Sequence, residues 1–345
     1  MKSFIGLAPA VGAAVLFAGC ALRQTQGDTQ PPVVMPQASS VAAVRSWTAA
    51  DAITNDLLYA VYPTVVKQGT IDLYSYPQGV LEGQITGLDG PGGDCSDKRG
   101  NVYVTDVEPS GNEIVEFAHG GTQPIRTPSV PSGKNPYSCA VDPTTGDLAV
   151  TNYGNTAGDG ASLLIYRKAK GQPKSYTDPQ FLNYAYCTYD NSDDLFVDGK
   201  YPGGYESPIF GEIPRGARSI ETINLNYEIG WISSLQWDGK YLAVGQGVKP
   251  YIFQFRISGT SGTRVGSTPL SDATFLDQFV LAGKRVVAVN LFFHDRYEYE
   301  YDVLVYNYPQ GGNSTETIGY DIGGGPISSV AFSRKKLSVH LGYDR

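Results

Sequence analysis

Cys139-Ala-Val-Asp-Pro-Thr-Thr-Gly-Asp-Leu-Ala-Val-Thr-Asn152 reads as a short apolar strand, a turn built by Asp142, Pro143 and Gly146, and a second strand from Leu148. Asp and Pro suit turn positions through side-chain bonding and a preset φ, and Gly tolerates positive φ. This hairpin is one copy of a unit that recurs every 40–50 residues, a period that signals a repeat architecture.

Three strand types recur. An inner one appears at Cys95–Asp97, Tyr137–Asp142, Tyr186–Asp190, Ile232–Asp238 and Phe279–Ala282. A second follows a turn, at Asn101–Asp106, Asp147–Asn152, Asp194–Asp198, Tyr241–Gln246 and Arg285–Asn290. The third ends in a Gly turn, as in Ile71–Gly79, Ile114–Gly121, Leu164–Gly171, Ile209–Gly216, Ile252–Gly259 and Val303–Gly311. A fourth, more polar segment follows each, as expected of an outer edge strand. Four strands per unit, six units and no helical periodicity predict an all-β fold, a six-bladed β-propeller of four-stranded antiparallel blades. A pair of sandwiches is the alternative.

The ends bear on closure. Ile327–Ser333 is a near copy of Ile232–Asp238, so the C-terminal segment is expected to supply the inner strand of the blade that the N-terminal segment starts. Sharing one blade removes an exposed sheet edge. Leu57–Tyr62 and Lys335–His340 compete for the second strand of that blade, and Leu57–Tyr62 is favoured.

The chain has 345 residues and a formal net charge of −8. Residues 1–19 hold Lys2, an apolar run and Leu16-Phe-Ala-Gly-Cys20. This stretch resembles the bacterial lipoprotein signal, in which the Cys is lipidated and becomes the new N-terminus; Phe17 and the single basic residue depart from that pattern. The alternative is an ordinary secretory signal. Removing 1–19 takes away one Lys, and (26 − 1) − 34 gives −9. Such acidity disfavours nucleic acid, which asks for basic patches. Residues 20–45 are expected to be the lipidated Cys20 and a Gln- and Pro-rich flexible tether, and residues 46–345 the propeller. The reading is thus of a monomer held to a bacterial cell envelope by a lipid anchor. By resemblance to enterobacterial sorting, Ala21 rather than Asp after the Cys implies the outer membrane or cell surface.

Cys95-Ser-Asp-Lys-Arg-Gly-Asn101, Glu116-Phe-Ala-His-Gly-Gly-Thr122, Cys139–Asp147, Gln236-Trp-Asp-Gly-Lys240 and Tyr306-Asn-Tyr-Pro-Gln-Gly-Gly312 carry a wider resemblance. Across roughly Ser46 to Ser333 the chain resembles the six-bladed TolB-like propellers, NHL-type repeat proteins among them. More closely it resembles a group of uncharacterised bacterial propeller lipoproteins. The resemblance implies fold and envelope location, and brings no activity with it.

Cys95, Cys139 and Cys187 fall at similar places on three consecutive inner strands. Packing is the favoured reading, over one disulfide with a spare thiol or a thiolate metal site. The turn residues Asp97, Asp142, Asp190 and Asp238 repeat with the units, which marks turn chemistry rather than catalysis. Asp190-Asn-Ser-Asp-Asp194 lacks EF-hand spacing and its terminal Glu.

The ends of the second strands, Asp106, Asn152, Asp198, Gln246 and Asn290, are spaced 46, 46, 48 and 44 residues apart. They read first as ordinary strand ends. As a functional hypothesis they ring one face beside aromatic loops, with Tyr153, Tyr201, Tyr205, His294 and Tyr297, where a glycan, peptide or protein partner would bind.

Enzyme readings are weaker. Gly-x-Ser-x-Gly and Gly-rich phosphate loops are absent, and His119, His294 and His340 suggest no triad. Metal-dependent lactonases of the gluconolactonase type share the architecture and place Asp or Asn ligands just before inner strands. Here those places hold Asp94, Ser138, Tyr186 and Ser234, and one carboxylate is too few for calcium. Streptogramin-lyase-like chemistry would fall to His294. The expectation is no catalytic residue and no cofactor, with a hydrolase or lyase carrying calcium or zinc near the central channel as the alternative.

Overall fold

The computed structural model describes residues 45–63, 69–107, 111–154, 160–200, 208–293, 299–321 and 326–335. The strands follow as β1 (Trp47–Thr48), β2 (Asp56–Tyr62), β3 (Thr70–Tyr76) and β4 (Leu81–Ile85), then β5 (Pro91–Ser96), β6 (Val102–Asp106), β7 (Glu113–Phe117) and β8 (Pro124–Arg126). Next come β9 (Pro136–Val141), β10 (Leu148–Asn152), β11 (Ser162–Tyr166) and β12 (Lys174–Tyr176), and β13 (Asn183–Tyr189), β14 (Leu195–Lys200), β15 (Pro208–Ile213) and β16 (Glu221–Leu225). The last are β17 (Ile232–Trp237), β18 (Leu242–Gln246), β19 (Tyr251–Ser258), β20 (Ser261–Pro269), β21 (Leu276–Ala282), β22 (Arg285–Phe293), β23 (Tyr299–Asn307), β24 (Glu316–Asp321) and β25 (Ser329–Ser333).

Each group of four from β5 onward pairs in chain order as an antiparallel meander. The first blade has the order β1-β4-β3-β2-β25. Six meanders are present, but five sheets rather than the six expected. The outer strands β16 and β20 pair in parallel through Asn224↔Ser261 and Leu225↔Gly262, and this seam merges the fourth and fifth blades into an eight-stranded sheet.

β25 lies antiparallel to β2 from Leu57↔Ser333 to Val61↔Ser329, so Leu57–Tyr62 holds the second-strand place. Of the competing Lys335–His340, the described residues include Lys335, whose backbone N–H donates to Asp56 Oδ1 at 2.9 Å. The inner strands β25, β5, β9, β13, β17 and β21 contact one another cyclically, which closes the ring. A buried Ser–His pair reinforces the joint. His119 Nδ1 is 2.6 Å from Ser333 Oγ, Nε2 is 2.9 Å from Asn55 O, and the Ser333 hydroxyl donates to Gly100 O at 2.6 Å. Ser333 is fully buried, so this pair binds the second blade to both ends of the chain and faces no substrate.

The apolar residues of the second strands have a plain cause. Side chains alternate across a strand, and each blade is covered by a neighbour on both faces, so both sets must be apolar. Leu57, Tyr59 and Val61 pack towards Val102 and Val104 of the second blade, while Leu58, Ala60 and Tyr62 pack towards Val287 and Val289 of the sixth. Six apolar clusters result, one for each interface between blades.

Candidate functional site

Antiparallel alternation puts the ends of all second strands on one face, with the crossovers that lead into the next inner strand. Asp106 Oδ1 accepts from Gly90 N–H at 2.7 Å, Gln246 Oε1 from Gly230 N–H at 3.3 Å, and Asn290 Oδ1 from Thr274 N–H at 2.8 Å. Each bond spans 16 residues, so the three side chains act alike, each pinning the crossover of its own blade. Gln246 Nε2 also donates to Val248 O at 3.0 Å, and Asn290 Nδ2 to Asp302 Oδ1 at 2.9 Å. Asn152 is fully buried, with Nδ2 3.3 Å from Ser162 O and no partner on Oδ1 among the described residues.

Asp198 is not a member of that series. Its Oδ1 accepts from Tyr186 N–H at 2.8 Å, as Thr105 Oγ1 accepts from Gly93 at 2.9 Å and Thr151 Oγ1 from Ser138 at 3.0 Å. Asp198 thus occupies the preceding place, and Gly199 stands at the strand-end position, where a Cβ would collide with the Asn183 carbonyl. Burial pushes the Asp198 carboxyl well above its ordinary range. Tyr201, Tyr205, His294 and Tyr297 lie outside the described residues.

What the face presents is an arc of rings. Tyr153 lies 5.1 Å from Tyr137, and Tyr137 lies 5.5 Å from Tyr186. Lys200 Nζ is 6.0 Å from the Tyr153 ring and 5.5 Å from that of Trp231, and Trp231 is 6.1 Å from Phe275. Tyr137 and Trp231 are 39% and 46% exposed. Four blades contribute, from the third to the sixth. Below the arc the Tyr186 hydroxyl is 3.4 Å from Asp277 O, and the Ser233 hydroxyl donates to the same oxygen at 2.9 Å. Burial pushes the Asp277 carboxyl up to about 6. Of the arc, sequence reading names only Tyr153 as a site residue. Tyr137 reads as part of an inner strand, and Trp231, Phe275 and Lys200 gain meaning only when distant blades converge. A Trp in a crossover beside Gly230 is the one available signal.

The channel between the inner strands holds a cavity of about 280 Å³, lined from Tyr186 and Ser234 to Pro143 and Asn191 in the turns of the opposite face. A disulfide between Cys95 and Cys139 forms part of the wall, with Cα atoms 5.6 Å apart. This corrects the favoured packing reading for two of the three cysteines. The cause is a one-residue offset. Cys139 and Cys187 pair with Val150 and Val197, whereas Cys95 pairs with Tyr103, one place further along. Successive side chains point to opposite faces, so Cys95 faces the third blade and Cys139 faces the second. Cys187 is a buried free thiol that burial pushes far above its ordinary range, hence neutral in the folded chain.

The residue matching Cys95 beside Cys187 is Ala140, which packs against the Cys187 cluster. Ala140→Cys is therefore expected to form a second inter-blade disulfide with Cys187. The denatured, unreduced variant would then have one titratable thiol fewer than the native chain and a mass four hydrogens below its fully reduced form; an added free thiol would refute the register.

Asp94, at the place expected for a lactonase-type ligand, is turned onto β25. Its N–H donates to Ser329 Oγ at 2.8 Å, and the Ser329 hydroxyl donates back to its carboxyl. Among the described residues no group of three or more His, Cys, Asp or Glu is placed to hold a metal ion.

No family model matches the chain, and no curated protein matches it. Solved structures do. A protein of unknown function from Bacteroides caccae is similar with a TM-score of 0.58 at 12% identity, over 81% of this chain and 99% of that one. A Lactobacillus plantarum protein gives 0.51 at 16% identity, over 77% and 82%. TolB from Acinetobacter baumannii gives 0.51 at 13% identity, over 82% and 67%. These likenesses bear on the fold: the chain is a β-propeller similar to TolB.

Proposed function

We propose that this chain is a lipid-anchored, non-enzymatic binding module of a bacterial cell envelope, which takes a glycan, peptide or protein partner on the face bearing the aromatic arc. The observation that carries the reading is the arc itself. Rings from four blades follow one another along the face, two of them within about 6 Å of the Lys200 ammonium, and two of the rings remain exposed. Aromatic faces stack on the C–H face of a sugar or on another ring, and Lys200 offers a charge for a carboxylate or phosphate. The Cys95–Cys139 disulfide supports export, since structural disulfides persist in oxidising compartments. The kinship with lipoprotein and NHL-type propellers rests on motif resemblance.

Tyr137→Ala and Trp231→Ala, together with Lys200→Gln, are expected to weaken retention on purified cell-wall fractions at least about tenfold, the usual scale for a buried-ring hot spot. The variants should keep the native melting temperature. Undiminished binding by folded variants would remove the arc from the reading. Cys20 lipidation is read separately, by mass spectrometry of the membrane-extracted protein.

A further inference from the structure

The inner strands carry a bulge at the end that meets the arc. In the third blade Ser138 pairs with Thr151 and Pro136 with Asn152, so Tyr137 stands between them without a partner. In the sixth, Gln278 pairs with Val289 and Leu276 with Asn290, which leaves Asp277 in the same place. The second, fourth and fifth blades are irregular at the corresponding point, where Gly92, Ala185 and Ser233 stand. A bulge frees a residue from the ladder and re-aims its side chain. Gly, Tyr, Ala and Ser fill the position in four blades, so the fold asks for no charge there. Asp277 departs from the repeat once.

Lys200 is a second such departure. It follows the strand-end position of β14, a place that holds Val107, Tyr153, Gly247 and Leu291 in the second, third, fifth and sixth blades. Among the described residues neither the Asp277 carboxyl nor the Lys200 ammonium has a hydrogen-bond or ion-pair partner. Both side chains are half-buried. The Asp277 backbone is held by the Tyr186 and Ser233 hydroxyls on its carbonyl, while its carboxyl stays open. Burial pushes Asp94 up to about 8 and Asp198 well above its ordinary range, but Asp277 only to about 6. Of these three acids Asp277 is the one ionised at neutral pH. A chain of rings joins the two charges: Lys200 lies against Tyr153, Tyr153 against Tyr137, Tyr137 against Tyr186, and Tyr186 against Asp277.

We infer that the arc face takes a peptide by two opposite charges, a ligand ammonium at Asp277 and a ligand carboxylate at Lys200, with an apolar side chain across the rings between them. The inference rests on the binding reading above and chooses within it. A neutral glycan would cover both charges and pair neither, which costs desolvation. A zwitterionic peptide pairs both, and its ammonium gains further from the neighbouring Tyr faces. Two charges of opposite sign also fix the direction in which the ligand lies.

The test uses the full chain and the peptides Ala-Phe-Ala and Ala-Phe-Ala-Ala-Ala, which span about 10 and 17 Å when extended. Each is titrated calorimetrically in four forms: unblocked, N-acetylated, C-amidated and blocked at both ends. The unblocked form of one length is expected to bind at least about tenfold tighter than either singly blocked form, the scale of a hydrogen bond to a charged group. Asp277→Asn should erase the loss caused by acetylation and keep the loss caused by amidation; Lys200→Gln should do the reverse. Both variants should keep the native melting temperature. A merely structural role for Asp277 would weaken all four forms alike, and that result overturns the inference. Equal binding of the four forms, or no binding of any at millimolar concentration, overturns it too. Cell-wall retention that falls in the Tyr137→Ala and Trp231→Ala variants but not in Asp277→Asn would leave the binding face standing and refute the peptide. Retention unchanged in all of them would refute the face itself.

Discussion

Reducing the Cys95–Cys139 bond, or replacing both cysteines by alanine, is expected to lower the stability of the propeller by about 2–4 kcal/mol. The bond closes a loop across a sequence separation of 44 residues, for which the chain-entropy estimate alone is about 4 kcal/mol. It joins the inner strands of the second and third blades, where the described apolar cluster is small and relies on Tyr103, Val150 and Tyr166. For a fold of this size the loss corresponds to a drop of roughly 3–6 °C in melting temperature. Guanidinium titrations with and without reductant measure it. Coincident curves would show that the bond does not constrain the unfolded chain.

Asp94 is expected to make the protein less stable as pH rises. Burial pushes its carboxyl from an ordinary 3.8 up to about 8, against the opposing bond from Ser329. Below about pH 4 the group is protonated in both states and costs nothing. Between about pH 4 and 8 the unfolded chain releases its proton while the folded chain keeps it, so unfolding becomes easier with each step. Above about pH 8 both states are ionised and the slope ends. A shift of about four units is worth roughly 5 kcal/mol at most; relaxation of the fold around the ionised group brings this to about 3 kcal/mol. Asp198, whose carboxyl burial also raises, contributes in the same direction. Asp94→Asn removes the Asp94 share, so its stability should exceed that of the native chain at about pH 8 and match it near pH 4. Parallel stability curves for the two proteins would refute the assignment.

Local features were legible where one strand or turn carries the signal. The repeated turn aspartates are such a case: Asp142 Oδ1 accepts from Thr144 N–H at 2.7 Å, Asp190 Oδ1 from Ser192 N–H at 2.7 Å and Asp238 Oδ1 from Lys240 N–H at 2.9 Å, the geometry that Asp favours in turns. The candidate site was far less legible. Spacing placed Asp198 with Asp106 and Asn152, but Val197 pairs with Cys187 as Val150 pairs with Cys139, so Asp198 answers to Thr151 and Gly199 to Asn152. One residue reverses the side on which a side chain points. The same one-residue sensitivity concealed the disulfide, because Cys95 and Cys139 face each other only through their offset.

The strand-end residues show a further limit. A polar group at a repeated position looks alike in sequence whether it serves a ligand or its own backbone. Crossover N–H groups that no strand pairs still take partners, and Asp106, Gln246 and Asn290 supply them. Function then falls to residues with no repeated signal, such as Trp231 and Lys200.

By itself the sequence determined the all-β class, the four-strand repeat and the sharing of one blade by both ends, because strand period, turn chemistry and repeat length are local properties of the chain. Tertiary structure alone decided the seam between β16 and β20, the Cys95–Cys139 bond, and the arc of Tyr137, Tyr153, Trp231 and Phe275 with Lys200 beside two of its rings. Each of these depends on contacts between blades, and no spacing along one strand specifies which residues of its neighbour it will meet.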